Sequence, residues 1–156
     1  MNWDVIFSFT NAVALLGWVM LAVWTRTPMT MALVLTLGVG LLCLTYAILL
    51  VLLVANLVDP GRIPGAAAPD LLDYSVAGLR PLFLSDAGIV IGWTHYLAFD
   101  LFVGAWVART ARAERIPFLL VIPCLFLTFL FGPAGFLLFL GLRLLRSITP
   151  ATTRVA

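Results

Sequence analysis

Apolar residues fill four long stretches of the chain, with few of the polar interruptions that a soluble helix or strand shows. The stretches cover residues 5–25, 30–56, 87–108 and 117–142. A hydrocarbon layer about 30 Å thick is crossed by about 20 helical residues, because each residue advances about 1.5 Å along the axis. All four stretches are at least that long. The pattern therefore predicts an all-α polytopic membrane protein, a bundle of four transmembrane helices over about 4–25, 29–57, 86–109 and 117–146.

Residues 58–85 form the one long connection between these stretches. Prolines and glycines in its first half, beginning with Asp59-Pro60-Gly61, predict a loop. In the second half apolar residues lie among Asp73 and Arg80, a pattern typical of a short amphipathic helix at the membrane surface. No connection is long enough for a separate soluble domain, so residues 1–156 are predicted to form a single membrane domain.

Composition and charge narrow the partners and the location. Sixty-three per cent of the residues are hydrophobic and 10% are charged, whereas soluble domains are about a quarter charged. A net charge of +2 is too small to indicate a nucleic acid partner. All nine basic residues are arginines, and most lie at the ends of apolar stretches, where they would contact lipid headgroups. With the abundance of Ala, Gly, Leu and Val, this usage indicates a GC-rich bacterial genome, so we expect a bacterial inner membrane protein whose first partners are membrane lipids.

The orientation in the membrane does not follow from the arginines alone. Four spans would place both termini and the 58–85 loop on one face, with five arginines there and four on the other. The positive-inside rule cannot decide between five and four. The second set occupies short loops with fewer acidic neighbours, which weakly favours termini on the outside.

Two ionisable residues, His95 and Asp100, lie inside the third apolar stretch. Such groups cost at least about 2.5 kcal/mol near the bilayer centre and are therefore candidate functional residues. Because an α-helix turns about 100° per residue, side chains five positions apart point about 140° away from each other. His95 and Asp100 are thus predicted to face different seams of the bundle, or to flank one pocket between helices.

Six further residues at similar depth are predicted to contact a bound substrate: Asn11, Trp93, Tyr96, Phe99, Gly132 and Pro133. Pro133 has no N–H to donate to the Phe129 carbonyl, so an acceptor is left free near mid-membrane and the helix bends. Each residue also has a structural interpretation. Histidine and asparagine often only bond across helices, a Gly-Pro pair is often only a kink, and aromatic side chains often only pack.

Several motifs of cofactor chemistry do not occur in the sequence. It has no Gly-rich phosphate loop, no CxxC, no HExxH and no second histidine that could help to ligate haem or a di-iron centre. Cys43 and Cys124 are isolated within apolar stretches, where reduced, inert thiols are expected. We therefore expect no cofactor and no metal site. Without these motifs, the possible functions are acid–base chemistry without a cofactor, or binding of an apolar ligand.

Two segments carry a resemblance to a known family. Residues 92–109, GWTHYLAFDLFVGAWVAR, followed by residues 127–135, LTFLFGPAG, resemble the abscisic-acid-deficient-four-like family, and the likeness extends over nearly the whole chain. These are small four-helix membrane proteins whose plant members are required for neoxanthin synthesis from violaxanthin in plastids. The resemblance implies an isomerisation in which an epoxide opens while a proton leaves a neighbouring polyene carbon, giving an allene. It also implies His95 and Asp100 as the acid and base. Because this chain looks bacterial, a related carotenoid or other isoprenoid lipid is favoured over violaxanthin as the ligand.

Three functions from different classes remain open at this point. The first is a cofactor-free isomerase of carotenoid-like lipids, which predicts a lateral, aromatic-lined cleft. The second is a non-catalytic lipid-binding, pigment-binding or assembly protein, in which His95 and Asp100 are satisfied by hydrogen bonds between helices. The third, a channel or transporter, would require oligomerisation. Gly88 and Gly92 form a small-residue stripe that permits a homo-oligomer without requiring one.

Overall fold

The computed structural model describes residues 1–24, 27–66 and 72–148, and within them it is helical with no β-strand. The six helices are α1 (Trp3–Trp24), α2 (Pro28–Val54), α3 (Val76–Leu79), α4 (Asp86–Ala113), α5 (Phe118–Phe131) and α6 (Pro133–Ile148). A 3₁₀ turn, Arg80–Leu84, joins α3 to α4. The predicted all-α class is confirmed.

Helices α1, α2 and α4 are each long and apolar enough to cross a membrane. Helix α4 is central, because α1, α2, α5 and α6 all pack against it. It is also the most buried of the three, while the outward faces of α1 and α2 expose leucine, valine and phenylalanine side chains. Apolar outer faces around a buried central helix suit a lipid environment.

Local sequence explains where the spans begin. The hydroxyl of Thr27 accepts a hydrogen bond from the Thr30 N–H at 3.2 Å, and Pro28 follows it as the first residue of α2. The hydroxyl of Ser85 accepts from the Gly88 N–H at 3.1 Å and starts α4 in the same way. Within the long loop, α3 is a single turn that gives way to the 3₁₀ turn containing Pro81, which has no N–H to continue an α-helix.

The three spans meet at Leu101, which is fully buried. A methyl group on Gly38 of α2 would lie 3.1 Å from Leu101 Cδ2, and one on Gly17 of α1 would overlap the same side chain. The two glycines thus make room for one large side chain. This packing fixes the rotation of α4 and, with it, the direction in which the neighbouring Asp100 points.

The fourth apolar stretch departs from the prediction of one helix over 117–146. Helix α5 ends at Phe131, and Gly132 adopts φ +42° and ψ −93°, a backbone conformation that favours glycine. Pro133 then starts α6. A methyl group on Gly135 would overlap the backbone of α5 at Thr128 and Cys124, so the first turn of α6 lies directly against the last two turns of α5. The chain therefore reverses direction at Gly132.

Contacts at the other end of α6 show the same reversal. Arg143 donates through Nε to Glu114 Oε2 at 2.9 Å, and its Nη2 also bonds Oε1 of the same carboxylate. Because Glu114 precedes α5, the two helices form a hairpin whose open end lies beside the C-terminal end of α4. The ring of Trp106 on α4 packs edge-on against Phe136 and Phe139, with centroids 5.5 and 5.9 Å apart.

The hairpin changes where the two ends of the described chain lie. Trp3 Nε1 donates to the Asp59 carbonyl at 3.1 Å, which places the start of α1 beside the loop that leads into α4. Helix α6 ends near Glu114, at the opposite end of α4. The expectation that both termini share a face therefore does not hold for the described residues, because one span has become a hairpin.

Candidate functional site

One face of α4 carries Trp93, Tyr96, Asp100 and Gly104, spaced three, four and four residues apart as on one side of a helix. This face points at a seam between α1 and the α5–α6 hairpin. Residues from all three elements meet there, and we refer to the place as the Asp100 seam.

Asp100 lies at the middle of α4 and is 8% exposed. A methyl group on Gly132 would overlap Asp100 Oδ1 and lie 3.0 Å from Cγ and Oδ2, so the carboxyl group packs directly on the tip of the hairpin. Oδ2 is buried and has no hydrogen-bond partner within the part of the chain that the structure describes. A buried polar atom without a partner is costly and uncommon, so it calls for an explanation.

Tyr96, one turn before Asp100, ties α4 to the hairpin. Its hydroxyl donates to the Leu130 carbonyl at 3.2 Å and also lies within interaction range of the Asp100 carboxyl group. The Leu130 carbonyl is available because the last four carbonyls of a helix lack partners within that helix. The sequence predicted a free carbonyl at Phe129, one residue earlier, on the assumption that Pro133 bends a single continuous helix. In the structure the helix ends, and the neighbouring carbonyl is the one that accepts.

Asn11 and Trp93 close the α1 side of the seam. Trp93 Nε1 donates to Asn11 Oδ1 at 3.1 Å, and Asn11 Nδ2 donates back along its own helix to the Phe7 carbonyl at 2.7 Å. The Trp93 ring stacks on Tyr96, with centroids 5.3 Å apart and planes 27° apart. Trp93 is 40% exposed on the outer surface. An aromatic track thus runs from the outer surface towards Asp100.

An apolar groove lies on the other side of Asp100, between α1 and α5. It encloses about 320 Å³ and is lined by apolar side chains, among them Trp18 and Phe129, whose rings meet edge-on at 5.5 Å. The Trp18 ring also fills the space beside Gly104, one turn along α4 from Asp100. Phe129 lies three residues before Gly132. The groove therefore borders the helices that enclose the carboxyl group, although Asp100 itself does not line it.

His95 faces the opposite side of α4. Its ring lies 4.6 Å from Phe99 and 5.5 Å from Tyr46, and it is exposed to an open cleft of about 550 Å³ between α2, α4 and the 58–85 loop. Arg62 and Asn56 also line this cleft, which we call the His95 cleft. No hydrogen bond joins the imidazole to any other described residue.

The structure thus divides the eight predicted site residues into two groups. Six of them gather at the Asp100 seam: Asn11, Trp93, Tyr96, Asp100, Gly132 and Pro133, the last being the first residue of α6. His95 lies at the His95 cleft, and Phe99 packs against its ring without lining the cleft.

Trp18, Phe129 and the Leu130 carbonyl also belong to the Asp100 seam, and sequence reasoning did not select them. Trp18 and Phe129 sit in long apolar runs in which no position stands out. A signal did exist in Gly104, which continues the Trp93–Asp100 face and accommodates Trp18.

Neither place resembles a metal site. Across the described ranges, no three His, Cys, Asp or Glu side chains are grouped so that they could hold an ion. Cys43 is exposed and Cys124 is buried, and both are free thiols.

The fold and the seam define a polytopic α-helical membrane protein with a carboxyl group buried among aromatic and apolar side chains. The sequence profile of the ABA DEFICIENT 4-like family matches residues 5–139, and the chain belongs to that family. This confirms the resemblance drawn from the two sequence segments. Searches of curated proteins and of solved structures gave no significant match.

Proposed function

We propose that this protein is a membrane isomerase that acts on a carotenoid or another isoprenoid lipid without a cofactor, with Asp100 as its principal acid–base residue. The observation that carries the proposal is the Asp100 carboxyl group, which is buried at mid-helix and has one oxygen without a partner among the described residues. Ionisable residues inside a membrane are expensive and mark functional sites by default. Membership of the ABA DEFICIENT 4-like family links the chain to neoxanthin-related membrane chemistry and supports this class of ligand.

The proposed reaction balances without an oxidant or a reductant. A polyene carbon loses a proton to a base, and the electrons of the broken C–H bond form a new C=C bond. The neighbouring epoxide C–O bond breaks, its electrons stay on oxygen, and that oxygen takes up a proton. A carboxyl group can accept the first proton and return one, and the Tyr96 hydroxyl lies close enough to help deliver the second.

The shape of the seam suits an elongated apolar ligand. The stacked rings of Trp93 and Tyr96 lie on one side of Asp100, and the apolar groove with Trp18 and Phe129 lies on the other. A polyene held along these elements would lie beside the segment of α4 that carries Asp100, and aromatic side chains offer it large, flat contact surfaces. Trp93 on the outer surface gives a path for entry from the lipid.

His95 is the second predicted catalytic residue, and it is tested separately because its ring faces the cleft rather than the seam. A direct role for both residues in one step would require a ligand that reaches both sides of α4. We therefore assign the acid–base step to Asp100 and expect His95 to affect ligand binding from the cleft.

The first experiment compares the lipids that co-purify with the wild type, Asp100→Asn and His95→Gln in mild detergent, extracted and separated by chromatography. We expect a carotenoid or other isoprenoid with the wild type, and its unconverted precursor with Asp100→Asn, which keeps the size of the side chain. Loss of thermal stability in Asp100→Asn with no isoprenoid in any sample would contradict the proposal. Asp100 would then be a structural residue.

A non-catalytic lipid- or pigment-binding role is the alternative, and the His95 cleft is the observation that favours it. This cleft is open, about 550 Å³ in volume, and its histidine has no hydrogen bond within the described chain. The same lipid, chemically unchanged, in both the wild type and Asp100→Asn would favour binding without turnover. Loss of that lipid in His95→Gln alone would place it in the cleft.

A further inference from the structure

We propose that the α5–α6 hairpin enters and leaves the membrane from one side, so that the chain crosses the bilayer three times. The open end of the hairpin and the C-terminal end of α4 together form an arginine-rich face, which contacts anionic lipid headgroups on the cytoplasmic side. The start of α1 and the 58–85 loop then face outwards. This assignment does not depend on the proposed reaction.

The depth of the hairpin tip supports a re-entrant path. Helix α4 spans 28 residues, and Asp100 lies at its middle. Gly132 packs against Asp100, so the tip of the hairpin is also near the middle of the bilayer. From Gly132 to Arg143 the chain advances about 16 Å at about 1.5 Å per residue, which is close to half of a 30 Å hydrocarbon layer. Arg143 therefore reaches the interface on the side where Glu114 lies.

The tip also meets the condition for non-helical backbone inside a membrane. Chain reversals at that depth are tolerated only where protein or a cavity covers them, because unpaired backbone groups are costly in lipid. Here the Gly132 N–H donates to the Thr128 carbonyl at 2.9 Å, and the Leu130 carbonyl accepts from Tyr96 at 3.2 Å. Asp100 covers the glycine itself.

Three crossings change the distribution of charge between the two faces. Among the described residues, the end of α4 that the hairpin shares carries five arginines and one glutamate: Arg109, Arg112, Glu114, Arg115, Arg143 and Arg146. The opposite end carries two arginines and four aspartates: Asp4, Asp59, Arg62, Asp73, Arg80 and Asp86. With four crossings the arginines were nearly equal on the two faces. With three crossings they fall five against two among the described residues.

This imbalance gives the orientation that the sequence alone left open. Arginines close to membrane-spanning segments are retained on the cytoplasmic side, where anionic lipids attract them. All five arginines are exposed or half-buried. Among the described residues only Arg143 forms an ion pair, and the other four arginines are exposed, where they can contact lipid phosphates.

The topology is tested by single cysteines placed in a background in which Cys43 and Cys124 are replaced by alanine. Tyr74→Cys reports the loop, Ala113→Cys reports the end of α4, and Ser147→Cys reports the end of α6. All three positions are exposed. Intact cells are treated with a membrane-impermeant maleimide, and labelling is repeated after the membrane has been opened.

We expect Tyr74→Cys to react in intact cells, and Ala113→Cys and Ser147→Cys to react only after opening. Ser147→Cys reacting together with Tyr74→Cys would overturn the hairpin, because four crossings place those two positions on one face. Protection of Tyr74→Cys together with labelling of Ala113→Cys would overturn the orientation. A green fluorescent protein fused after residue 156 leaves the native cysteines in place and is expected to fluoresce, since it folds on the cytoplasmic side. A dark but fully expressed fusion would contradict the orientation independently.

Discussion

The two sides of α4 place their ionisable residues in opposite circumstances. Asp100 is buried, packed on a glycine and enclosed by a hairpin, and one of its oxygens has no partner within the described chain. His95, five residues earlier, is exposed beside Phe99 and Tyr46 and opens onto a cleft. Both residues look alike in the sequence, as single ionisable groups in one apolar stretch. Their surroundings separate them, and those surroundings come from other parts of the chain.

The comparison identifies which group needs a functional explanation. The polar atoms of a histidine at an open surface stay accessible, whereas a buried carboxyl group without a full set of hydrogen bonds costs free energy. Natural proteins retain such groups where chemistry requires them. Asp100 is therefore the stronger candidate for catalysis, and His95 the stronger candidate for contact with a ligand in the cleft.

The largest expected effect separates these two roles. Asp100→Asn should lower the rate of lipid conversion by about 10²- to 10⁴-fold, the usual contribution of a general acid or base. His95→Gln should change ligand occupancy more than the rate at saturation. Conversion is measured by chromatography after incubation of each purified variant with candidate epoxy carotenoids. Equal rates of conversion by Asp100→Asn and the wild type would contradict a catalytic role for the Asp100 seam.

The second largest effect is expected at the hairpin tip. Gly132→Ala places a methyl group against the Asp100 carboxyl group and forces alanine into φ +42°, a conformation that costs about 1–3 kcal/mol for such a residue. We expect a clear fall in the thermal unfolding midpoint in detergent and loss of the bound lipid.

Two other glycines serve as matched controls for that variant. Gly141→Ala adds a methyl group in open space within α6, so stability should stay the same or rise slightly. In Gly65→Ala the added methyl group would have no atom within 4 Å, but the backbone at this position has φ +84°. This variant therefore reports the cost of backbone strain without a steric clash. If Gly132→Ala is no worse than Gly65→Ala, the contact with Asp100 adds nothing to the effect.

The sequence predicted the helical class and the α1, α2 and α4 spans well, because long apolar runs report a lipid environment directly. It also selected six residues that gather at the Asp100 seam, since polar and helix-breaking residues stand out in apolar stretches. The hairpin was missed. A Gly-Pro pair is compatible with a kink or with a reversal, and the choice depends on Gly135 packing against Thr128 and on Asp100 covering Gly132. Those are contacts between distant or folded-back segments, which residue spacing does not encode.

A smaller effect compares two tyrosines on the two sides of α4. Tyr96→Phe removes the hydroxyl that donates to the Leu130 carbonyl, and we expect it to destabilise the protein by about 0.5–1.5 kcal/mol. Tyr46→Phe, beside His95, removes a hydroxyl that makes no hydrogen bond within the described chain, and its effect should be close to zero. Thermal unfolding of both variants in one detergent provides the comparison. A larger loss in Tyr46→Phe would show that the cleft, and not the seam, depends on its tyrosine.

The smallest expected effect concerns the pH dependence of the outer end of the hairpin. The hydrogen bond from the Arg143 guanidinium lowers the pKa of Glu114 below its ordinary value of 4.5. A lowered pKa in the folded state means that the pair stabilises the protein above about pH 4.5, and that this contribution is lost as the pH falls through the folded pKa. Because both side chains are more than a third exposed, the effect should be small and weakened further by salt. The thermal midpoint of the wild type should therefore exceed that of Glu114→Gln at neutral pH, and the two should converge in acid.

Asp73, in the loop beside the His95 cleft, also has a lowered pKa, but its cause is the hydrogen bonds that its carboxylate accepts from Ser75. Asp73→Asn should consequently shift the acid limb with little response to salt, so a salt-sensitive difference belongs to the hairpin alone. If Glu114→Gln follows the wild type at every pH and salt concentration, packing of Trp106 against α6 holds the hairpin arm without help from the ion pair.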